Sequence, residues 1–277
     1  MTPPTLIGET NLLTELLMTG PQEDTILNAA NVLLDARRTG KPLTDLPQAL
    51  QPASLEDAYA IQDRIAAAFG DIGGWKIGAT SPDATPMYAP MPAAWMAPTG
   101  SLLSGDRWRY HGLEAEIAFL VGHDLPPRLS ETGAEPYTRE EVLAALASCH
   151  PAIEELEPAF ADPMQAPRLA MIADLQMHGG FLYGPAVPNW QSIDFSKEKV
   201  MLAVDGVVRV ERTGSNTSGD LLRLLPWLAN EGAARTGGLR KGQWITTGSW
   251  TGYTLASAGS AAEVTFSSAG RVDLRFA

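Results

Sequence analysis

Cysteine is nearly missing from this chain: Cys149 stands alone among 277 residues, which excludes an intrachain disulfide framework and a cysteine-rich zinc site and suits a reducing compartment. Positive charge is also scarce. Against 32 Asp and Glu there are 20 Lys and Arg, for a formal net charge of -12, and the pI is about 4.8. Nucleic acid and anionic membrane both need a basic face, so neither is expected as a partner. No uninterrupted apolar run approaches the length of a membrane span, and no Lys or Arg precedes Arg37. A membrane helix and the basic start of a secretory signal are therefore not expected, and a cytoplasmic location is.

Several common catalytic signatures are missing too. The chain contains no Gly-x-x-x-x-Gly-Lys phosphate loop, no Gly-x-Ser-x-Gly elbow, no His-Glu-x-x-His and no dinucleotide Gly-x-Gly-x-x-Gly after a strand. Cys149 and His150 are adjacent, but neighbouring side chains point apart in a strand and about 100° apart in a helix, so they do not make a nucleophile and its base. His111, His123 and His178 are scattered; of these, His178 is retained as a residue that could line a site.

What is present is chain enough for a sizeable core and two kinds of texture. Residues Glu23 to Arg38 and Ser54 to Phe69 have helical spacing, the second opening on Ser54 as N-cap with Asp57 three residues on. From Trp75 the pattern changes to short apolar runs broken by Gly and Pro, which predicts strands and irregular connections. The proline-rich stretch from Pro126 to Pro136 predicts an exposed loop able to act as a lid, followed by a helix from Thr138 to about Ser148. Asp205-Gly206 between two apolar runs predicts a hairpin over Val200 to Val210, and a leucine-rich helix is expected from about Gly219 to Ala234. Strands are expected at Trp244 to Thr247, Glu263 to Phe266 and Val272 to Phe276. No internal repeat and no regular alternation of strand and helix is visible, so a doubly wound parallel sheet is not expected. The organisation predicted is a helical N-terminal part over 1–73 and a β-rich domain over 74–277, an α+β fold.

Glu114 and Glu116 stand out within Leu113-Glu-Ala-Glu-Ile-Ala-Phe-Leu-Val121. Residues two apart share one face of a strand, so two carboxylates line one face while Leu113, Ala115 and Ile117 line the other. Two like charges in apolar surroundings raise each other's pKa unless a cation or basic groups compensate; a solvated edge strand is the competing explanation. Glu154, in Pro151-Ala-Ile-Glu-Glu155, can complete a three-carboxylate set. Such a set suits magnesium or manganese, whereas zinc would prefer histidine or cysteine.

The segments Gly74-Trp-Lys-Ile-Gly-Ala-Thr-Ser81, Glu114-Ala-Glu-Ile-Ala-Phe119, Pro151-Ala-Ile-Glu154, Trp227-Leu-Ala-Asn230 and Thr247-Gly-Ser249 follow one another in a specific order. In this the chain, over about residues 54 to 276, resembles the 2-keto-4-pentenoate hydratases, which with the 4-oxalocrotonate decarboxylases form a branch of the fumarylacetoacetate hydrolase superfamily. The resemblance implies a mixed, β-rich fumarylacetoacetate-hydrolase-like fold and a homo-oligomer. It implies that Glu114, Glu116 and Glu154 bind Mg2+ or Mn2+ and that Lys76 lies at the substrate. Around them, Thr80, Ser81, Gln176, His178, Gly248 and Ser249 are expected to contact the substrate. Asp174 or Glu155 is expected to position a water, with no choice between them. One departure is plain: where relatives carry an Ala-Asp-Asn-Ala-Ser-like segment, this chain reads Ala173-Asp-Leu-Gln-Met-His-Gly179. The aspartate is kept and the neighbouring Asn and Ser are not, so an atypical substrate is expected, with Trp95 and Trp250 offered either as a wider pocket wall or as ordinary packing.

The activity implied is metal-dependent addition of water to a 2-hydroxy-2,4-dienoate, giving a 4-hydroxy-2-oxo acid, as a lyase of aromatic-compound catabolism. Decarboxylation of a 2-oxo-enedioate needs the same electron sink plus a group for a distal carboxylate, for which Arg168, Arg209 and Arg212 are candidates. Hydrolysis of an acylpyruvate carbon–carbon bond ranks third, because no histidine precedes His111. A non-catalytic partner subunit is the remaining reading, opposed by the intact Lys76 and three glutamates.

Overall fold

The computed structural model describes residues 21–128 and 133–277. The described residues begin with two helices, α1 (Pro21–Thr39) and α2 (Leu55–Ala67). Ser54 caps α2 as expected, its side chain accepting the N–H of Asp57. The strands that follow are β1 (Ile72–Gly78), β2 (Met87–Pro92), β3 (Met96–Pro98), β4 (Ser101–Leu103), β5 (Gly112–Val121), β6 (Leu146–Leu156), β7 (His178–Tyr183), β8 (Lys199–Val204), β9 (Val207–Thr213), β10 (Trp244–Thr246), β11 (Thr254–Leu255), β12 (Ala261–Phe266) and β13 (Gly270–Phe276). Between them lie the short helices α3 (Arg139–Ala144), α4 (Arg168–Ala173) and α5 (Leu224–Trp227).

Two sheets result. The larger runs β2-β1-β10-β5-β6-β7-β3 with β11 on the end of β5, and the smaller runs β4-β13-β12-β8-β9. The larger sheet is mixed, since β1 pairs β10 and β3 pairs β7 in parallel while its other pairs are antiparallel. Together with the helices this is an α+β arrangement.

The alternation read in β5 is realised. Leu113, Ala115, Ile117 and Phe119 enter the main core, which also takes Leu33 from α1, Ile61 and Ile65 from α2 and Trp75 and Ile77 from β1. The opposite face of the larger sheet carries a second, smaller apolar cluster of Met91, Ala118, Ala152, Phe181 and Trp244. Glu114 and Glu116 share that second face, in line with Ala118, because the side-chain period of a strand is two.

Some elements differ from expectation. The helix that opens on Thr138 has its capping box, yet it ends at Ala144 rather than near Ser148. From Leu146 the chain instead pairs with β5, and the ladder of a long antiparallel strand outweighs local helix preference. The leucine-rich stretch is helical but mixed: a 3-10 turn at Leu221–Arg223, α5, a π turn at Leu228–Gly232 and a second 3-10 turn at Ala233–Thr236. The hairpin forms as expected, with Asp205 and Gly206 at φ 53 and 74, the doubly left-handed turn that suits strand twist. Of the expected lid, residues 129–132 lie outside the described residues; its described ends are tied down by Arg128 over the Tyr137 ring and by Tyr137 Oη donating to the Pro126 carbonyl. Among the described residues no helix is long and apolar enough to cross a membrane.

Candidate metal centre

Four neighbouring strands of the larger sheet build the site. Lys76 on β1 lies opposite Thr246 on β10, Thr246 lies opposite Ala118 on β5, and Glu114 on β5 lies directly opposite Glu154 on β6. Matching register puts all of these side chains on one face. Glu114, Glu116 and Glu154 each offer a carboxylate oxygen, and these atoms all lie within 4.8 Å of one another. Glu116 and Glu154 are buried and Glu114 is half-buried, so one side of the cluster is reachable from solvent.

Each carboxylate is held by a defined set of donors. Glu154 Oε1 takes the ammonium of Lys76 at 2.7 Å and Nδ1 of His178 at 2.9 Å. Its other oxygen, Oε2, is buried without a hydrogen-bond partner among the described residues. Glu116 Oε2 accepts from the Thr246 hydroxyl and from the N–H of Gly248 at 2.9 Å, and Ser249 hydrogen bonds to Glu114. Lys76 also donates to the carbonyl of Gln176 at 3.0 Å.

The charges explain what this arrangement wants. Burial, with the nearby Glu154 charge, pushes Glu114 up to about 7 despite Lys76. Burial and the two neighbouring carboxylates push Glu116 well above its ordinary value. Glu154 goes the other way: burial opposes its ionisation, but Lys76 and the His178 hydrogen bond outweigh burial and hold it below the usual range. Burial would likewise lower Lys76, yet Glu154 and Glu114 hold its ammonium above its ordinary value. Burial keeps His178 neutral, with its Nδ1–H directed at Glu154. One ammonium facing three carboxylates leaves an excess of negative charge in a poorly solvated place.

A hard divalent cation fits this cluster. The donor set is oxygen alone, and the buried Glu154 Oε2, which costs free energy while unpaired, is the atom such an ion would satisfy. Magnesium and manganese are the ions of this chemistry.

Of the other expected site residues, His178, Gln176, Gly248 and Ser249 are brought to the cluster, Gln176 through its carbonyl, while its side-chain amide donates to the Tyr88 carbonyl. Thr80 and Ser81 lie past the end of β1, are exposed, and make no hydrogen bond to the cluster among the described residues. Asp174 is buried, with Oδ1 on Arg37 at 2.5 Å and Oδ2 on the Ala159 N–H at 2.7 Å. Glu155 follows Glu154 in β6 and so points to the other face; it is buried with both oxygens unpartnered, and burial with the Glu157 charge pushes it well up. Trp250 is a core residue, 1% exposed, whereas the Trp95 ring lies 5.8 Å from that of His178. Arg209 and Arg212 are exposed on β9 of the smaller sheet, and Arg168 touches the Met87 sulfur. Cys149 is buried with its thiol pushed up to about 12 by burial, and His150 donates from Nδ1 to the Gly184 carbonyl and accepts at Nε2 from the Ser148 hydroxyl, so the adjacent pair is not a nucleophile and base.

Two contributors carry no sequence signal of their own. Thr246 precedes the Thr247-Gly-Ser249 motif by one residue, and Arg37 is one of two arginines in the last turn of α1. Arg37 also donates to the carbonyls of Asp174 and His178, at 2.9 Å each, so it clamps both ends of the segment that departs from the family pattern. Inside that clamp Leu175, Gln176 and Met177 all have positive φ, at 51, 50 and 68. Three consecutive left-handed residues other than glycine are strained, and they aim the Gln176 carbonyl at Lys76.

No protein-family model matches the chain. In sequence it is 26% identical over 259 residues to a 2-keto-4-pentenoate hydratase from Paraburkholderia xenovorans (strain LB400), covering 90% of this chain and 93% of that protein. In structure it is similar to 4-oxalocrotonate decarboxylase from Pseudomonas putida G7, complexed with magnesium and adipate, with a TM-score of 0.79, 22% identity, and 92% and 98% of the two chains covered. A fumarylacetoacetate hydrolase family protein from Yersinia pestis CO92 shares the fold more distantly, at a TM-score of 0.53 and 15% identity over 73% of this chain and 91% of that one. The chain therefore resembles the 2-keto-4-pentenoate hydratase and 4-oxalocrotonate decarboxylase branch of the fumarylacetoacetate hydrolase superfamily, and it is an enzyme of the lyase class with a fumarylacetoacetate-hydrolase-like fold.

Proposed function

We propose that this chain is a magnesium- or manganese-dependent hydratase that adds water to a 2-hydroxy-2,4-dienoate to give a 4-hydroxy-2-oxo acid. The observation that carries this reading is the buried, unpartnered Glu154 Oε2 in a three-glutamate cluster beside a protonated Lys76. A cation held by Glu114, Glu116 and Glu154 would supply a Lewis acid and a template for the carboxylate and C2 oxygen of a 2-oxo acid.

The residues around it supply the rest. The Lys76 ammonium opposes the anionic substrate and holds a proton within reach of the site, its position set by Glu154 and the Gln176 carbonyl. Protonation at C5 with loss of the enol proton gives the α,β-unsaturated 2-oxo acid, water then places its hydroxyl on C4 and its proton on C3, and Lys76 is the residue we assign to proton delivery at C5. Thr246 and the Gly248 N–H hold Glu116, and His178 holds Glu154, so the cluster keeps its geometry without reorganising. Ser249 and Gly248, both half-buried, line the open side with Glu114. Asp174 is tied up by Arg37, and Glu155 sits on the opposite face of β6, so neither is assigned the water. Aromatic-compound catabolism, a cytoplasmic setting and self-association accompany this reading through the resemblance.

A second reading, decarboxylation of a 2-oxo-enedioate, is favoured by the likeness to 4-oxalocrotonate decarboxylase in fold. It uses the same sink for the enolate left by carbon dioxide. The test is an ultraviolet assay of enzymatically generated 2-hydroxypenta-2,4-dienoate with magnesium and with chelator, the product identified by mass. Metal-dependent loss of the dienol with gain of one water is expected; no turnover with tight magnesium binding would overturn the hydratase reading and direct assays to the enedioate.

A further inference from the structure

Arg37, Arg38, Arg107 and Arg109 converge on a cavity of about 210 Å³ walled by Phe69 and Trp95, with Glu157 on its lining and none of Glu114, Glu116 and Glu154. In a chain with 20 basic and 32 acidic residues this is an unusual concentration of positive charge. Arg37 is spent on Asp174. Arg109 donates to the carbonyls of Pro158 and Phe160 and lies 3.6 Å from Glu157, whose carboxylate also accepts the backbone N–H groups of Arg109 and Tyr110.

Arg38 and Arg107 are different: neither has a carboxylate partner among the described residues. Arg38 is exposed at the rim, over the Phe69 ring. Arg107 is half-buried, its guanidinium carbon 4.5 Å from the Trp95 ring centre and 4.1 Å from that of Trp108, and among the described residues it donates to the Gly179 carbonyl. A guanidinium has five donors in one plane, and one bond to a carbonyl leaves others to receive a ligand. Two carboxyls act on it through space, Glu155 and the cavity-lining Glu157, but among the described residues Glu155 has no hydrogen-bond partner and Glu157 is taken by Arg109 and the Tyr110 N–H, so neither pairs with Arg107. A partly desolvated cation with no direct ion pair among the described residues, beside aromatic walls, fits a carboxylate on a flat apolar body.

We propose that this cavity binds a small planar organic carboxylate, separately from the glutamate cluster, and that binding is felt at the cluster through Arg37 and Arg107. Arg107 holds the carbonyl of Gly179, Arg37 holds the carbonyl of His178, and His178 Nδ1 holds Glu154. The Trp95 ring is shared, its centre 4.5 Å from the Arg107 guanidinium and 5.8 Å from the His178 ring. A ligand that engages the edge of Arg107 therefore constrains the backbone carrying a group bound to the cluster. Coupling of this kind is reciprocal between the two ligands. The proposal does not depend on which reaction the cluster performs.

The experiment is a titration of the full-length protein with benzoate, read by calorimetry and by tryptophan fluorescence, with benzyl alcohol as the uncharged control. Saturable binding of benzoate and none of the alcohol is expected. Arg107→Met should weaken it about tenfold or more and Arg38→Gln, at the exposed rim, by a few fold, on the scale of a lost charge-assisted contact. Glu116→Gln should bind benzoate as the wild type does, and saturating benzoate should shift the magnesium affinity of the wild type. No saturable binding to the wild type overturns the proposal. So does loss of binding in Glu116→Gln with retention in both arginine variants, which would seat the acid in the cluster. An unchanged magnesium affinity overturns the coupling.

Discussion

Arg37 Nε meets Asp174 Oδ1 at 2.5 Å although 137 positions separate them in the chain, and both side chains are buried, 6% and 0% exposed. This pair joins the first helix to the segment that carries Gln176 and His178, so the helical N-terminal residues position the glutamate cluster.

Breaking the pair leaves a buried charge alone. Arg37→Met is expected to destabilise the protein by about 3–5 kcal/mol, as does loss of one partner of a buried ion pair elsewhere. Asp174→Leu added to it should recover part of the loss, because the orphaned carboxylate is gone. Urea unfolding of the two variants checks this; equal stability of single and double variants would show that the carboxylate is solvated.

Glu116→Gln should leave the fold intact and remove metal-dependent turnover. The loss should exceed the roughly 10–100-fold that removal of an outer partner of a metal ligand costs. Circular dichroism, magnesium calorimetry and the dienol assay would be run side by side, and a full rate in this variant with chelator present would sink the metal centre.

Gln176 sits at φ 50 between two other left-handed residues. Gln176→Val places a β-branched side chain in that region and should cost about 1–3 kcal/mol, while Gln176→Asn, which tolerates positive φ, should cost less. The valine variant should also lower kcat by displacing the carbonyl that receives Lys76. Equal rates for both variants would separate the strain from the site.

Magnesium binding should strengthen with pH. Glu114 is raised to about 7, and Glu116 is raised well above its ordinary value by burial and like charge. A carboxyl raised above its unfolded value keeps its proton in the folded state, so between about pH 4.5 and 7 the metal-free folded form binds more protons than the unfolded one. Metal-free stability therefore falls as pH rises through this window. The cation must displace those protons, so its affinity should rise about tenfold per pH unit for each proton released. Thermal unfolding with and without magnesium from pH 5 to 8 checks both trends, and a magnesium-induced shift that does not grow with pH would refute them.

Much was legible in the sequence because it is local. The two-residue period placed Glu114 and Glu116 on one face with Leu113, Ala115 and Ile117 on the other, the Ser54 cap and the Asp205-Gly206 turn are short-range devices, and the order of motifs pointed to the fold. Other features depended on partners far along the chain. The helix expected to run to Ser148 yields to β6 because β5 is there to pair with it. The sequence does not show that Arg37 meets Asp174, and Glu155 differs from Glu154 in which face of β6 it occupies. The arginine-lined cavity has no linear motif, since its walls come from α1, the turn before β3 and the loop before β5. Local periodicity determined which residues share a face; only the packed sheets and helices decided which charges meet, because a charge in a folded protein is governed by its neighbours in space.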